Sequence, residues 1–136
     1  MAHARARLLA VVVALGATAC GGGSSSKPQL SSLAARGAGL VQVKPCLVCH
    51  TTNGGPAAGP TFSGLAGSRV TLADRTTVTA DDAYLKRSIL DPGAQTVAGF
   101  PKGLMATLVK PASVTPVQAD AIVAYIDSLA GVKPAK

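Results

Sequence analysis

The pentapeptide at residues 46–50 constrains this chain more than any other feature. It reads Cys46-Leu47-Val48-Cys49-His50. In C-x-x-C-H, two thiols are spaced to add to the vinyl groups of one haem, and the histidine then faces the iron. Two thioether bonds retain the porphyrin without a deep pocket, so the cofactor becomes part of the core. The motif predicts one covalently attached haem c.

The rest of the sequence offers few further iron ligands. His3 is the other histidine, and Met105 is the one methionine besides the initiator. If His3 lies in a removed segment, His50 and Met105 supply the axial pair of a low-spin electron-transfer haem. The alternative for Met105 is a core filler, since methionine commonly fills gaps between other side chains.

Two other uses of a C-x-x-C sequence are less well supported. A zinc site is disfavoured because Cys46, Cys49 and His50 find no fourth cysteine or second histidine downstream. A thioredoxin-like dithiol is the stronger alternative, but the flanking residues lack its strand-then-helix pattern. Haem attachment remains the preferred interpretation.

The amino terminus has the pattern of an export signal. Arg5 and Arg7 precede an uncharged run at residues 8–19, which is too short to span a bilayer as a helix. The small residues before Cys20 are those that a lipoprotein signal peptidase accepts, and a Gly/Ser tether follows at residues 21–26. We therefore predict lipid attachment at Cys20, with cleavage without lipidation as the alternative.

This interpretation divides the chain into three parts. Residues 1–19 form the signal peptide, residues 20–32 the lipidated cysteine and tether, and residues 33–133 one folded domain. With either outcome at Cys20 the domain lies outside the cytoplasm, in the periplasm or on the extracytoplasmic face of a bacterial membrane.

Charge and composition narrow the class of partner. The formal net charge is +7, from 13 Lys and Arg against 6 acidic residues. Removal of Arg5 and Arg7 leaves 11 against 6, or +5. A moderately basic exported domain suits acidic partner proteins or anionic lipid, and nothing in it resembles a nucleic-acid module. With only two Phe, two Tyr and no Trp, a buried haem would supply the large flat apolar body that aromatic side chains otherwise provide.

Hydrophobic periodicity and capping residues predict three helices and a hairpin. The first helix covers residues 30–43, with Ser31 or Ser32 as its N-cap. Short strands at 70–72 and 76–78 form the hairpin. A middle helix follows, capped by Thr79, with Asp81 and Asp82 in its first turn and a stop at residues 91–92. The last helix runs from a capping box at Thr115 to about residue 130. Its predicted buried stripe is Ala121, Ile122, Tyr125, Ile126 and Leu129.

From about residue 37 to residue 130 the chain resembles class I cytochrome c, and most closely the cytochrome c domain of haem-copper oxidase subunit II. The matching segments are residues 46–50, 59–65, 70–81, 89–92, 97–101 and 122–126. The chain departs from this pattern at Arg75, where relatives usually have glycine, and at Ala106, where they usually have proline after the ligand methionine. The segment before Met105 is also about one residue longer.

The resemblance implies an all-α fold in which the first and last helices cross around the covalently bound haem, with the small β-hairpin as an insertion. Gly37 and Tyr125 would mark the crossing of the two helices. The resemblance also implies that the backbone carbonyl of Pro60 accepts the proton of the His50 imidazole, which adds Pro60 to the cofactor-binding residues. Met105 would lie on a loop.

The function expected from these features is one-electron transport in a respiratory chain, toward a terminal oxidase, with no enzymatic activity. Redox proteins and the membrane are the expected partners. The alternatives are a haem subunit fixed in a respiratory complex, and a haem enzyme or gas sensor whose distal side is open. A docking rim near the haem edge is a further hypothesis, and ordinary solvated charges are the alternative to it. Its residues are Arg69, Lys86, Arg87 and Lys102.

Overall fold

The fold consists of four helices, a 3₁₀ turn and a two-stranded hairpin, in a computed structural model that describes residues 29–110 and 112–132. The signal peptide, Cys20 and most of the tether predicted from the sequence lie outside the described residues. Among the residues described, no helix is both long enough and apolar enough to cross a bilayer. In chain order the elements are α1 (Ser32–Val43), the 3₁₀ turn (Pro45–Val48), β1 (Arg69–Thr71), β2 (Thr77–Thr79), α2 (Asp82–Leu90), α3 (Leu104–Leu108) and α4 (Pro116–Ser128).

The first and last helices cross in close contact. A Cβ atom on Gly37 would lie 1.9 Å from the carbonyl oxygen of Ala121 and 2.8 Å from Cβ of Tyr125. Only glycine allows the two backbones to approach this closely. The crossing predicted at Gly37 and Tyr125 is therefore present, and the backbone of Ala121 is its closest point.

Both of these helices begin at the residues predicted. The Ser31 hydroxyl accepts a hydrogen bond from the amide of Ala34 at 3.1 Å. Thr115 and Gln118 form a reciprocal capping box at the start of α4. Each cap satisfies amides that the first turn of a helix leaves without intrahelical partners.

Each strand of the hairpin is displaced by one residue from the prediction, to 69–71 instead of 70–72 and to 77–79 instead of 76–78. Val70 pairs with Val78, and Arg69 pairs with Thr79, in an antiparallel register. Thr79 therefore belongs to β2, and the prediction that it caps the middle helix is wrong. Asp81 is the cap instead, because its carboxylate accepts the Tyr84 amide at 2.8 Å. Asp is at least as good an N-cap as Thr, and the strand ladder already holds Thr79.

The core combines buried side chains of α1, α2 and α4 with others from the hairpin and the loops. Val41, Ile122 and Ile126 are its largest fully buried side chains. Ala119 and Val123 are buried as well, whereas Tyr125 and Leu129 of the predicted stripe are only half-buried, so the buried face of α4 differs from that stripe. The helix ends at Ser128, two residues before the predicted end.

Candidate haem site

The two cysteines of the motif lie in and beside the 3₁₀ turn that follows α1. Pro45 begins this turn, where its fixed φ and missing amide proton are tolerated. Cys46 lies within it, Cys49 ends it, and the His50 amide donates to the carbonyl of Cys46 at 3.0 Å. Neither cysteine forms a disulfide. Burial raises the pKa of the Cys46 thiol, although a backbone hydrogen bond and the positive charge of Lys44 oppose that rise.

The His50 ring is oriented by a backbone carbonyl. Its Nδ1 lies 2.6 Å from the carbonyl oxygen of Pro60. A carbonyl oxygen can only accept, so Nδ1 carries the proton, and Nε2 of the neutral ring keeps its lone pair for a metal. Burial lowers the pKa of His50, although the hydrogen bond to Pro60 opposes that shift. The lowered pKa favours the neutral ring.

Two further residues hold the ring on its flanks. Phe62 stacks on His50, with the ring centroids 4.6 Å apart and the planes 16° from parallel. A Cβ atom on Gly59 would lie 2.8 Å from Cε1 of His50, so the glycine permits the backbone to pass against the ring. The sequence prediction assigned no such role to either residue. Both residues lie in the sequence run at 59–62, where the chain returns to the histidine, and this run is the sequence feature that could have indicated them.

The loop after His50 is closed by its own hydrogen bonds. The Thr61 hydroxyl donates to the carbonyl of Thr51 at 3.0 Å, and the Phe62 amide donates to the same carbonyl at 2.7 Å. Beyond it, the buried Ser63 hydroxyl donates to the carbonyl of Val132 at 2.7 Å. These bonds fix the position of Pro60 relative to the segment that follows α4 and to the 3₁₀ turn with its two cysteines, called the attachment turn below.

One cleft contains every haem-binding residue predicted within the described part of the chain. Cys46, Cys49, His50, Pro60 and Met105 all line it. The remaining lining is predominantly apolar and comes from the loop after His50, from α2, from α3 with its flanking segments, and from α4. Its members include Phe62, Leu65, Leu85, Ile89, Val97, Phe100, Leu104, Val109, Ile122 and Ile126.

Met105 lies on a helix and not on the predicted loop. The short helix α3 carries it, beginning after Gly103, whose φ of 75° is readily adopted by glycine. The loop implied by the resemblance is therefore wrong at residues 104–108, and the sequence did not correct it because five residues are too few to show helical periodicity.

The donor set of the cleft fits a c-type haem. Thiols at the C-x-x-C-H spacing, a neutral imidazole with Nε2 free of the Pro60 bond, and a thioether on a separate segment border one apolar space. Apolar walls suit the porphyrin face, while the sulfur and nitrogen donors suit the thioether bonds and the iron.

The four cations of the predicted docking rim do not line the cleft themselves, although Pro101 and Gly103, on either side of Lys102, do. None of Arg69, Lys86, Arg87 and Lys102 lines it. Lys86 forms an ion pair with Asp120, in a separate groove between α2 and α4. The charged residue that does line the cleft is Lys44, which the rim hypothesis omitted, and its Nζ donates to the carbonyl of Ser113 at 2.7 Å.

Comparison with known families identifies the class of protein. The sequence model of the cytochrome c family matches residues 34–130. The chain belongs to the cytochrome c family, whose members carry covalently attached haem c and transfer electrons, typically to and from redox partner proteins. No curated protein gives a significant match.

Proposed function

We propose that this protein is a membrane-tethered carrier of single electrons, with haem attached through Cys46 and Cys49 and iron bound by His50 and Met105. The observation that carries the proposal is that the two thiols, the imidazole and the thioether border one apolar cleft. Haem iron supplies a ferric–ferrous couple when it is bound there. The chain itself needs no proton donor or acceptor for this function.

The protein side chains tune that couple in two ways. Thioether ligation by Met105 and the apolar walls of the cleft both disfavour the extra positive charge of ferric iron, which raises the reduction potential. The Pro60 carbonyl acts in the opposite sense, because it makes His50 a more basic ligand. The balance suits a high-potential acceptor, and a terminal oxidase in a respiratory chain is the acceptor that we propose.

The location proposed for the carrier comes from the sequence. The charged start, the apolar run and the small residues before Cys20 favour export and lipid attachment, at the extracytoplasmic face of a bacterial membrane. The Gly/Ser-rich tether would then confine the domain near membrane partners and raise its effective concentration there.

Ligand access to the iron tests the proposal. If Met105 is the sixth ligand, the ferric holoprotein is low-spin, shows the weak sulfur-to-iron charge-transfer band and binds azide only slowly. Met105→Ala then loses the band, binds azide readily and has a lower midpoint potential. Ala106→Ser, one residue away, keeps the wild-type spectrum. If the wild-type protein is already high-spin and open to azide, the carrier function is wrong and the enzyme or gas-sensor alternative takes its place.

A further inference from the structure

The segment that carries Met105 is held to the rest of the fold unevenly at its two ends. The residues that precede this segment are joined to the hairpin by backbone hydrogen bonds. The Ala98 amide donates to the carbonyl of Thr71 at 2.9 Å, and the Ala73 amide donates to the carbonyl of Thr96 at 2.8 Å. The near end of the segment is therefore anchored by backbone hydrogen bonds.

The described residues of the segment itself, 101–110 and 112–113, form only local backbone bonds. Representative examples join Val109 to Met105 and Ser113 to Lys110. Helix α3 makes no extensive contact with any other described helix or strand. Apolar anchoring comes from Val109, which is buried in the core, from Met105, which packs against the core, and from the buried Val114 directly beyond the segment.

Within the described residues, one hydrogen bond joins this segment to a distant part of the chain. Nζ of Lys44 donates to the carbonyl oxygen of Ser113 at 2.7 Å. Lys44 directly follows α1 and lies two residues before Cys46, and both Lys44 and Ser113 line the cleft. The bond therefore links the attachment turn to the far end of the Met105 segment.

We propose that Lys44 is a positioning residue, whose hydrogen bond to the Ser113 carbonyl keeps the Met105 segment closed against the haem. This inference rests on the proposed function, because it requires Met105 to be the sixth ligand. An ammonium group on a neutral carbonyl is a charge-assisted hydrogen bond, and its loss favours states in which the segment has moved away.

Azide binding to the ferric holoprotein measures that closed state. Azide can bind only where Met105 has left the iron, so its apparent affinity follows the open fraction. We expect Lys44→Leu to bind azide about threefold to tenfold more tightly than wild type, which is the range for loss of one hydrogen bond. Leucine is used because a methionine there would add a thioether beside the cleft.

Two variants separate the bond from the charge. Lys110→Leu removes one positive charge from the Met105 segment, at an exposed side chain that takes no part in the bond, and should bind azide as wild type does. Lys44→Arg keeps a cationic donor and should restore wild-type affinity to within about twofold. In Lys44→Leu, amide hydrogen exchange of residues 104–109 should accelerate, while exchange in α4 stays unchanged.

The outcomes distinguish this inference from the proposed function. A wild-type protein that is high-spin and binds azide readily overturns both. A low-spin wild type in which Lys44→Leu matches Lys110→Leu overturns the role of Lys44 alone. If Lys44→Arg binds azide as tightly as Lys44→Leu does, the role of Lys44 is overturned as well. If Lys44→Leu yields no holoprotein, Lys44→Ala, which also lacks a side-chain donor, takes its place under the same criteria.

Discussion

The carbonyl oxygen of Ala121 lies 1.9 Å from the position that a Cβ atom on Gly37 would occupy. Any side chain at residue 37 must therefore push the backbone of α4 away from α1. Because Ile122 and Ile126 of α4 also line the cleft, the separation of these two helices sets the position of one wall of the haem site.

Gly37→Ala should destabilise the holoprotein by about 3 kcal/mol, the upper part of the range for overpacking, because backbone atoms and not a flexible side chain are in the way. Denaturant unfolding monitored by circular dichroism measures the change. Gly39→Ala is the control: it lies in the same helix with nothing within 4 Å of its Cβ position, so alanine should stabilise by about 0.5–1 kcal/mol. Equal stability of the two variants would contradict the close crossing.

Features encoded within a few residues were predictable from the sequence. The caps at Ser31 and Thr115 and the stop at Asp91 all depend on local hydrogen bonds or on a following proline. Thr79 shows the limit of this reasoning, since Thr79 and Asp81 are both acceptable caps. Only the pairing of Thr79 with Arg69 decides between them, and that pairing is a property of the hairpin.

Arg75 is a second residue whose role depends on the geometry of the hairpin. Its φ is 71°, a conformation that favours glycine, the residue that the resemblance to class I cytochrome c led us to expect there. Asp74 supports the turn by accepting hydrogen bonds from the amide and hydroxyl of Thr76. The sequence identified Arg75 as unusual, but the reason became clear only from the backbone.

Long-range parts of the site were not predictable from the sequence. The stack of Phe62 on His50 and the bond from Lys44 to Ser113 join residues whose separation carries no periodic signal. The bond from His50 to Pro60 was expected only through the resemblance to class I cytochrome c. Local sequence patterns specify caps and turns, whereas packing across the cleft depends on the complete fold.

Asp127 gives a prediction for the dependence of stability on pH. Burial raises its pKa, and the negative charge of Asp82 adds to that effect. A carboxyl group with a raised folded-state pKa favours the fold while protonated, and this contribution is lost as the pH rises through that value. Asp127→Asn should therefore stabilise the protein at pH 7, by less than about 0.5 kcal/mol for so exposed a group, with the gain disappearing toward pH 3.

Asp74→Ala should change stability in the opposite direction, because the pKa of Asp74 is lowered and not raised. The hydrogen bonds from the hydroxyl and amide of Thr76 lower the pKa of Asp74, so its contribution is present at neutral pH and is lost as the pH falls. Denaturant unfolding of both variants between pH 7 and pH 3 checks the two trends. Parallel curves for the two variants would show that the environments of these carboxyl groups do not differ in this way.

Lipid attachment at Cys20 is tested by changing only that thiol. Cys20→Ser should turn a membrane-associated protein into a soluble exported one that still carries haem, because the attachment cysteines of the haem lie elsewhere. Membrane fractionation followed by mass spectrometry of the amino terminus makes the measurement. A wild-type protein with an unmodified amino terminus at another residue would eliminate the anchor.

Covalent attachment of the haem is tested by the two cysteines of the 3₁₀ turn. Wild-type protein should keep haem-linked peroxidase stain on its band in a denaturing gel, since thioether bonds survive denaturation. Cys46→Ala together with Cys49→Ala should remove the stain. Each single variant should retain one thioether and some stain. Extraction of the haem from wild-type protein by acidic acetone would contradict the assignment.

Gly59→Ala tests how the fold controls His50, the proposed iron ligand. Because Pro60 contributes a backbone carbonyl, no side-chain change at Pro60 itself removes that acceptor. A methyl group at residue 59 would lie 2.8 Å from Cε1 and 3.1 Å from Nδ1 of His50, so the ring must turn away and its bond to Pro60 must weaken. Histidine then donates less electron density to ferric iron, and the midpoint potential should rise.

The control for this variant is Gly93→Ala, whose nearest neighbour at the Cβ position is an Asp91 carboxylate oxygen 3.9 Å away. It should leave the potential unchanged. Redox titration followed by optical spectroscopy measures both variants, and the low-spin spectrum shows whether His50 still binds iron. A Gly59→Ala protein with wild-type potential and spectrum would mean that the His50 ring is not confined by Gly59 in the holoprotein, and that the bond to Pro60 is maintained by Phe62 and the loop alone.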